Sequence, residues 1–280
     1  MKPLVSVICV CYNHERFVEE AIDSVLSQKY ARVELVVIDD KSHDNSVSRI
    51  RKALARFPET KIIVSDANRG NCKAFNEGFR NTKGDLIIDL SADDVLFPDR
   101  IAKGVENFQT WGPQIGVNFT DAVLIDEEGR TLGYHSDRFP HETIPQGDIY
   151  REVLSRYFIN SPTMMIRRNV LERLGGYDET LAYEDFDFWV RSSRDFHYAY
   201  TPEPLVKRRI VKDSLGSKQF KKGSAQLQST YQVCEKAMIL NKTQSEKNAL
   251  KGRIRYEIGQ ALKLGELQLA WRYMVLYAKV

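Results

Sequence analysis

Four times in the first hundred residues, a short apolar run is followed by a stretch with helical periodicity. The runs lie at 5–10, 33–38, 61–64 and 86–88 and are rich in valine and isoleucine. Short β-branched runs bounded by polar turns read as buried strands. Between the first two, Phe17, Val18, Ala21, Ile22, Val25 and Leu26 mark one face of a helix over 16–28, with Asn13 placed to cap it. Further helices are expected from Asp44 or Asn45 to about 57, and over 72–81 after the Asn68-Arg69-Gly70 turn. Strand and helix alternating in units of about 30 residues make βαβ crossovers and a mainly parallel sheet. Such crossovers bring every loop that follows a strand to one edge of the sheet, where ligands of open α/β sheets bind.

That edge is acidic. Asp39, Asp40, Asp66, Asp93 and Asp94 each fall just after an apolar run. In the stretch GDLIIDLSADDVLFP, Asp93 and Asp94 sit side by side at a strand end, and Pro98 is placed to open a helix. Paired carboxylates there are costly without a cation between them, and a divalent metal carrying a diphosphate supplies one. The alternative is that they shape a turn and cap a helix, since aspartate is a common turn residue. Capping suits one or two of the five; it does not explain all of them at one edge.

Beyond residue 115 the pattern loosens. Ile115–Ile125 reads as a strand and Asp126-Glu127-Glu128-Gly129 as a hairpin turn. A short helix is expected near 149–157, a strand at 162–167, and a helical turn at 171–174 closed by Gly175-Gly176. Glu184 and Asp185 open the helix FDFWVRSSRD, where the helix dipole favours negative charge, so capping is a full alternative for both. Helices follow at about 224–240, 246–263 and 266–278. The last, LQLAWRYMVLYA, is apolar nearly all round and must bury against this chain, a second copy or a membrane surface.

Charge divides the chain. Residues 207–280 hold 16 Lys+Arg against 5 Asp+Glu, whereas 1–206 hold 25 against 33. The basic part begins with Lys207-Arg208-Arg209 and continues through Lys212, Lys218 and Lys221-Lys222. This asymmetry marks two parts, 1–206 and a basic helical extension, 207–280. The positive charge is not interleaved with aromatics in a known nucleic-acid module, so no nucleic-acid partner is expected. Cys9, Cys11, Cys72 and Cys234 form neither a Cys-x-x-Cys nor a disulfide framework. Buried inert thiols fit a reducing cytoplasm. No apolar run approaches the roughly 18–20 residues that span a bilayer.

Five stretches together carry a family resemblance: VSVICVCYNHERFVEEAIDSVLSQ, VELVVIDDKSHDNS, NRGNCKAFNEGF, GDLIIDLSADDVLFPDR and GGYDETLAYEDFDFWVR. In order and spacing they resemble the family 2 glycosyltransferases of GT-A fold, over roughly 1–205. The resemblance implies a Rossmann-like mixed, mainly parallel α/β sheet flanked by helices, here with a C-terminal helical appendage. It places Asp40 against the nucleotide base, usually uracil, with Val10, Cys11 and Tyr12 lining the same pocket. Asp66 and Arg69 lie where such enzymes hold the nucleotide. Asp93 would contact the ribose and the metal, and Asp94 would hold Mn²⁺ or Mg²⁺ on the diphosphate. Asp185 matches the catalytic base, with Glu184 beside it toward the acceptor. The chain departs from the pattern twice. Ser91 replaces the first aspartate of the usual Asp-x-Asp, and 207–214 lacks the histidine that many members carry.

The implied activity is inverting transfer of a sugar from a nucleoside-diphosphate sugar, UDP-linked in the usual case, to a hydroxyl of a glycan or lipid-linked acceptor in bacterial surface polysaccharide synthesis. The expected setting is the cytoplasm, peripheral to the inner face of the membrane, with the C-terminal helices available for a homodimer. The basic segment of 207–280 either covers the diphosphate during turnover or lies on anionic lipid, a solvated charged face being the alternative. The rival reading is a degenerate glycosyltransferase fold used for binding or assembly. A dinucleotide fold is excluded, because Cys-Tyr-Asn-His-Glu stands where Gly-x-Gly-x-x-Gly belongs.

Overall fold

The computed structural model describes residues 2–139, 143–212 and 221–280. Strands β1 (Val5–Cys11), β2 (Val33–Asp39), β3 (Lys61–Val64) and β4 (Leu86–Ser91) pair in parallel in the order β3-β2-β1-β4. Helices α1 (Val18–Leu26), α2 (Ser46–Ala53) and α3 (Asn71–Arg80) make the crossovers. The alternation of side chains along β1 shows why this half is so apolar. Val5, Val7, Cys9 and Cys11 pack with α1 residues Val18, Ala21, Ile22 and Val25 on one face. Ile8 and Val10 pack with Phe75 of α3 on the other. The four cysteines are free and buried.

The second half closes around the same sheet. It comprises β5 (Val95–Leu96), α4 (Arg100–Trp111), β6 (Ile115–Ile125), β7 (Thr131–Tyr134), α5 (Tyr150–Ser155), β8 (Met165–Arg167), α6 (Arg168–Leu174), α7 (Asp185–Ser192) and β9 (His197–Arg209). Its strands extend the sheet as β4-β8-β6-β9-β5, with β7 paired to β6. β8 runs antiparallel to β4 and β6, whereas β6 and β9 are parallel. The result is the expected mixed, mainly parallel sheet flanked by helices.

Four local expectations change. Asn13 does not cap α1. It adopts a left-handed backbone (φ 57°), and its amide N–H donates to Ser42 Oγ at 2.9 Å, joining the loops that follow β1 and β2. Pro98 lies before the helix: Asp99 is the cap position and α4 starts at Arg100. The 162–167 stretch is a 3-10 turn at Ser161–Thr163 followed by only three strand residues, because Pro162 cannot donate to a ladder. The 206/207 change of charge falls inside β9, whose Lys207, Arg208 and Arg209 pair with Val123, Leu124 and Ile125 of β6. Part of the basic stretch is thus a strand of the main sheet, and Lys218 lies outside the described residues.

Helices α8 (Ala225–Leu240), α9 (Gln244–Lys263) and α10 (Leu267–Lys279) follow. Thr243 caps α9 in a capping box with Glu246. Cys234, Leu250, Ile254 and Tyr273 share one continuous core with Phe186, Trp189 and Tyr198. Lys236 of α8 reaches Asp178 at 2.5 Å and the buried Asp187 of α7 at 2.6 Å. No helix among the described residues is long and apolar enough to cross a membrane.

Candidate active site

The strand ends bring the expected carboxylates to one edge. After β2, Asp39 and Asp40 are both buried. Asp39 accepts from the Ser42 amide at 2.9 Å and its hydroxyl at 2.6 Å. Asp40 accepts from the Arg69 amide at 3.0 Å and the Gly70 amide at 2.7 Å. It therefore fixes the loop that leads into α3 while its Oδ1 keeps lone-pair capacity. Val10 is buried at the end of β1, and Tyr12 stands exposed after it, edge-on to His43. Asp66 is exposed just after β3. The guanidinium of Arg69 bonds Ser65 Oγ at 2.9 Å and pairs with Glu77.

After β4 the chain turns tightly. The Ser91 hydroxyl donates to Asp93 Oδ1, so the serine in the family's first-aspartate position orients the second. Asp94 accepts from the Arg209 amide at 2.8 Å. Its carboxyl is held well above the ordinary aspartate range by burial and then by Asp93 beside it. His14 stands 3.9 Å from Asp93, with Nδ1 buried and unpartnered among the described residues. Two buried carboxylates facing one spot fit a divalent cation. No cluster of three His, Cys, Asp or Glu side chains among the described residues completes a cage. A site of this kind suits an ion that brings its remaining ligands as phosphate oxygens and water, as Mg²⁺ does.

Glu184 and Asp185 begin α7, and no side chain caps this helix at Glu184. The capping alternative is thus not what occupies Glu184. Its Oε1 instead accepts from Asn71 Nδ2 at 2.8 Å, and its Oε2 lies 3.5 Å from Cys72 Sγ. Burial raises both carboxyl pKa values, Glu184 further through Asp185 and Asp89. Beneath them Asp89 of β4 accepts from the Tyr177 hydroxyl at 3.1 Å, and burial pushes its pKa up to about 7. Asn160 is buried with both carboxamide atoms unpartnered among the described residues, and the neighbouring Ser161 hydroxyl bears on the Asp185 carboxyl as a hydrogen-bond donor. An asparagine at the cap position of a 3-10 turn usually bonds the local backbone; this one does not.

Arg208 links the two carboxylate groups. It is half-buried on β9, has no hydrogen bond or ion pair among the described residues, and acts electrostatically on both Asp94 and Asp185. Both therefore lie within electrostatic reach of one guanidinium. Its neighbour Arg209 points to the opposite face and is buried. Its guanidinium bonds the Asp93 carbonyl at 2.9 Å, the Asp126 carbonyl at 3.1 Å and Glu20 at 2.6 Å. Sequence reasoning placed the carboxylate pairs and offered the lysines and arginines of 207–214 as charge for the diphosphate, but it did not single out His14, Asp89, Arg208 or Arg209. Asp89 had a signal: it lies two residues before Ser91, so it shares that face of the strand. The arginines had none, because their strand was not visible beside Pro202 and Pro204.

Known proteins share this fold. Solved structures similar in fold include a mannosyltransferase from Pyrobaculum calidifontis in complex with GDP-Man and Mn²⁺. It has a TM-score of 0.66 and 18% identity over 99% of this chain and 86% of that one. S. aureus TarS 1-349, in complex with UDP-GlcNAc, has a TM-score of 0.77 and 17% identity over 98% and 80%. Both are glycosyltransferases of the GT-A type. Among sequence relatives, an uncharacterised glycosyltransferase of Rickettsia typhi is 29% identical over 212 residues, covering 74% of this chain. One from Haemophilus influenzae is 30% identical over 212 residues, also 74% of this chain. The matches span 64% and 66% of those relatives' own lengths. The profile of Glycosyl transferase family 2 matches residues 6–175, more than half of the chain, and the chain belongs to that family.

Proposed function

We propose that this chain is an inverting glycosyltransferase that moves a sugar from a nucleoside-diphosphate sugar to a hydroxyl acceptor. The observation that carries the reading is the placement of Arg208, which acts on both Asp94 and Asp185 and so sets the buried Asp93-Asp94 pair and the Glu184-Asp185 pair about one proposed cleft. Family membership and the nucleotide-sugar complexes of the similar structures support it.

Each residue has a role in a single displacement. The loops carrying Val10, Tyr12, Asp40, Asp66 and Arg69 receive the nucleoside, with Asp93 at the ribose. Asp94, with Asp93, would hold Mn²⁺ or Mg²⁺, which when bound offsets the charge gathering on the leaving diphosphate. Arg208 contributes fixed positive charge toward the same group, where many relatives of the fold place a histidine. Asp185 takes the proton from the acceptor hydroxyl as its oxygen bonds the anomeric carbon. The anomeric carbon–oxygen bond to the diphosphate breaks, and the nucleoside diphosphate departs. Attack opposite the leaving group inverts the anomeric centre. Glu184, held by Asn71, borders the acceptor side, Ser161 donates toward Asp185, and Asn160 offers its unpartnered carboxamide to sugar hydroxyls.

UDP is the proposed carrier, and a glycan or lipid-linked saccharide of a bacterial surface polymer the proposed acceptor. A thermal-shift panel of UDP, GDP, CDP and ADP, with and without Mn²⁺, tests this on wild type and Asp94→Asn. A ligand confined to the folded state stabilises it by about 2.7 kcal/mol at a hundredfold excess over Kd. The expected result is a metal-dependent shift with UDP that Asp94→Asn loses. No shift with any nucleotide favours a fold retained for binding or assembly.

A further inference from the structure

Helix α10 buries only one side. Leu269, Ala270, Tyr273 and Leu276 face the protein, whereas Leu267, Trp271, Met274 and Val275 are exposed, Trp271 by 67%. With exposed Ala278 they occupy roughly 100° of arc at 3.6 residues per turn. Lysines and arginines flank this arc on both sides. Arg272 and Lys279 border one margin, and on the other Lys251 and Arg255 of α9 lie over the Tyr277 ring at 5.5 and 5.9 Å. Acidic groups are withdrawn from the α9–α10 surface. Glu246 and Glu257 are buried, and Glu266 is half-buried and accepts from the Gly223 amide at 2.8 Å.

We infer that the exposed face of α10, with its flanking lysines and arginines, docks on an anionic lipid surface. An apolar helical stripe carrying tryptophan, edged by long cationic side chains, lies in a membrane interface with the stripe among acyl chains and the cations at the headgroups. Charge decides against a second copy as occupant. A two-fold interface sets the same patch against itself and would bring these cations together, with no exposed carboxylate among the described residues of α9 and α10 to meet them. Anionic headgroups supply the missing charge, at about 1 kcal/mol, or fivefold in affinity, per lysine or arginine. This surface lies outside the proposed sugar-transfer cleft, and the inference does not depend on that chemistry.

Co-sedimentation of the full chain with vesicles tests it, using phosphatidylcholine alone and phosphatidylcholine mixed with phosphatidylglycerol. Binding is expected only to the mixed vesicles and to weaken with salt. The double variant Trp271→Glu with Val275→Glu should reduce it by at least about tenfold, since each side chain contributes on the order of 1.5–3 kcal/mol when buried. Lys251→Glu with Arg255→Glu, which keeps the apolar face intact, should reduce it by more than about tenfold. Circular dichroism checks that the variants fold. The inference is overturned if wild type ignores anionic vesicles, or if the variants bind as well as wild type. It is also overturned if sedimentation velocity shows a dimer that Trp271→Glu dissolves.

Discussion

The Tyr177 hydroxyl donates to Asp89 Oδ2 at 3.1 Å, beneath the pair of carboxylates that opens α7. Tyr177 is itself stacked on Phe75, with ring centroids 4.2 Å apart. The floor of the cleft is thus a carboxyl that burial lifts to about 7, close to Glu184 and Asp185 in charge if not in sequence.

Asp89 should make stability depend on pH. Its folded pKa lies above its unfolded value, so its contribution is complete below about 4 and is lost as pH rises toward 7. Asp89→Asn preserves an acceptor for Tyr177 and removes the titration. Urea midpoints measured from pH 4 to 8 should fall with rising pH more steeply in wild type than in the variant. Equal slopes would place the charge elsewhere.

Asp185→Asn should remove the proposed base and leave the nucleotide site. Transfer should fall by roughly 10²–10⁴-fold, while the thermal shift given by nucleotide and metal persists. Because burial raises the Asp185 pKa, the acid limb of the wild-type kcat/KM profile should lie above the ordinary aspartate range. A retained rate in Asp185→Asn assigns the base to another residue.

Arg209 ties β9 to the Asp93-Asp94 turn, to the β6–β7 turn and to α1 through five partners. Arg209→Met keeps much of the stem but strands the buried Asp93 carbonyl. It should cost about 1–3 kcal/mol in chemical denaturation. It should also weaken any metal-dependent nucleotide shift, because the turn that carries Asp94 loses its clamp.

Gly78 sits in α3 where an added Cβ would collide with the Ile8 side chain of β1 and crowd Ile38 of β2. Gly78→Ala gains helix propensity, yet it should destabilise by about 1–3 kcal/mol through overpacking. Thermal denaturation decides between the two effects. A stabilised variant would mean that α3 shifts on the sheet at little cost.

The sequence by itself determined the parallel half of the sheet. Its signals there are local: apolar runs of β-branched residues, helical stripes such as Val18, Ala21, Ile22 and Val25, and aspartates at strand ends. Crossover handedness then gathers Asp40, Asp66, Asp93 and Asp94 at one edge without further information. The α9 and α10 helices were legible for the same reason. Only the tertiary structure decided what lies opposite that edge. Asp89 and Asp185 are far apart in the chain, and their mutual charge exists only once β4 and α7 pack together. β9 was hidden because Pro202 and Pro204 interrupt its pattern. It holds as a strand because long pairing with β6 offsets those missing donors. Through that pairing alone, a stretch that read as a basic tail delivers Arg208 to the cleft and Arg209 beneath it.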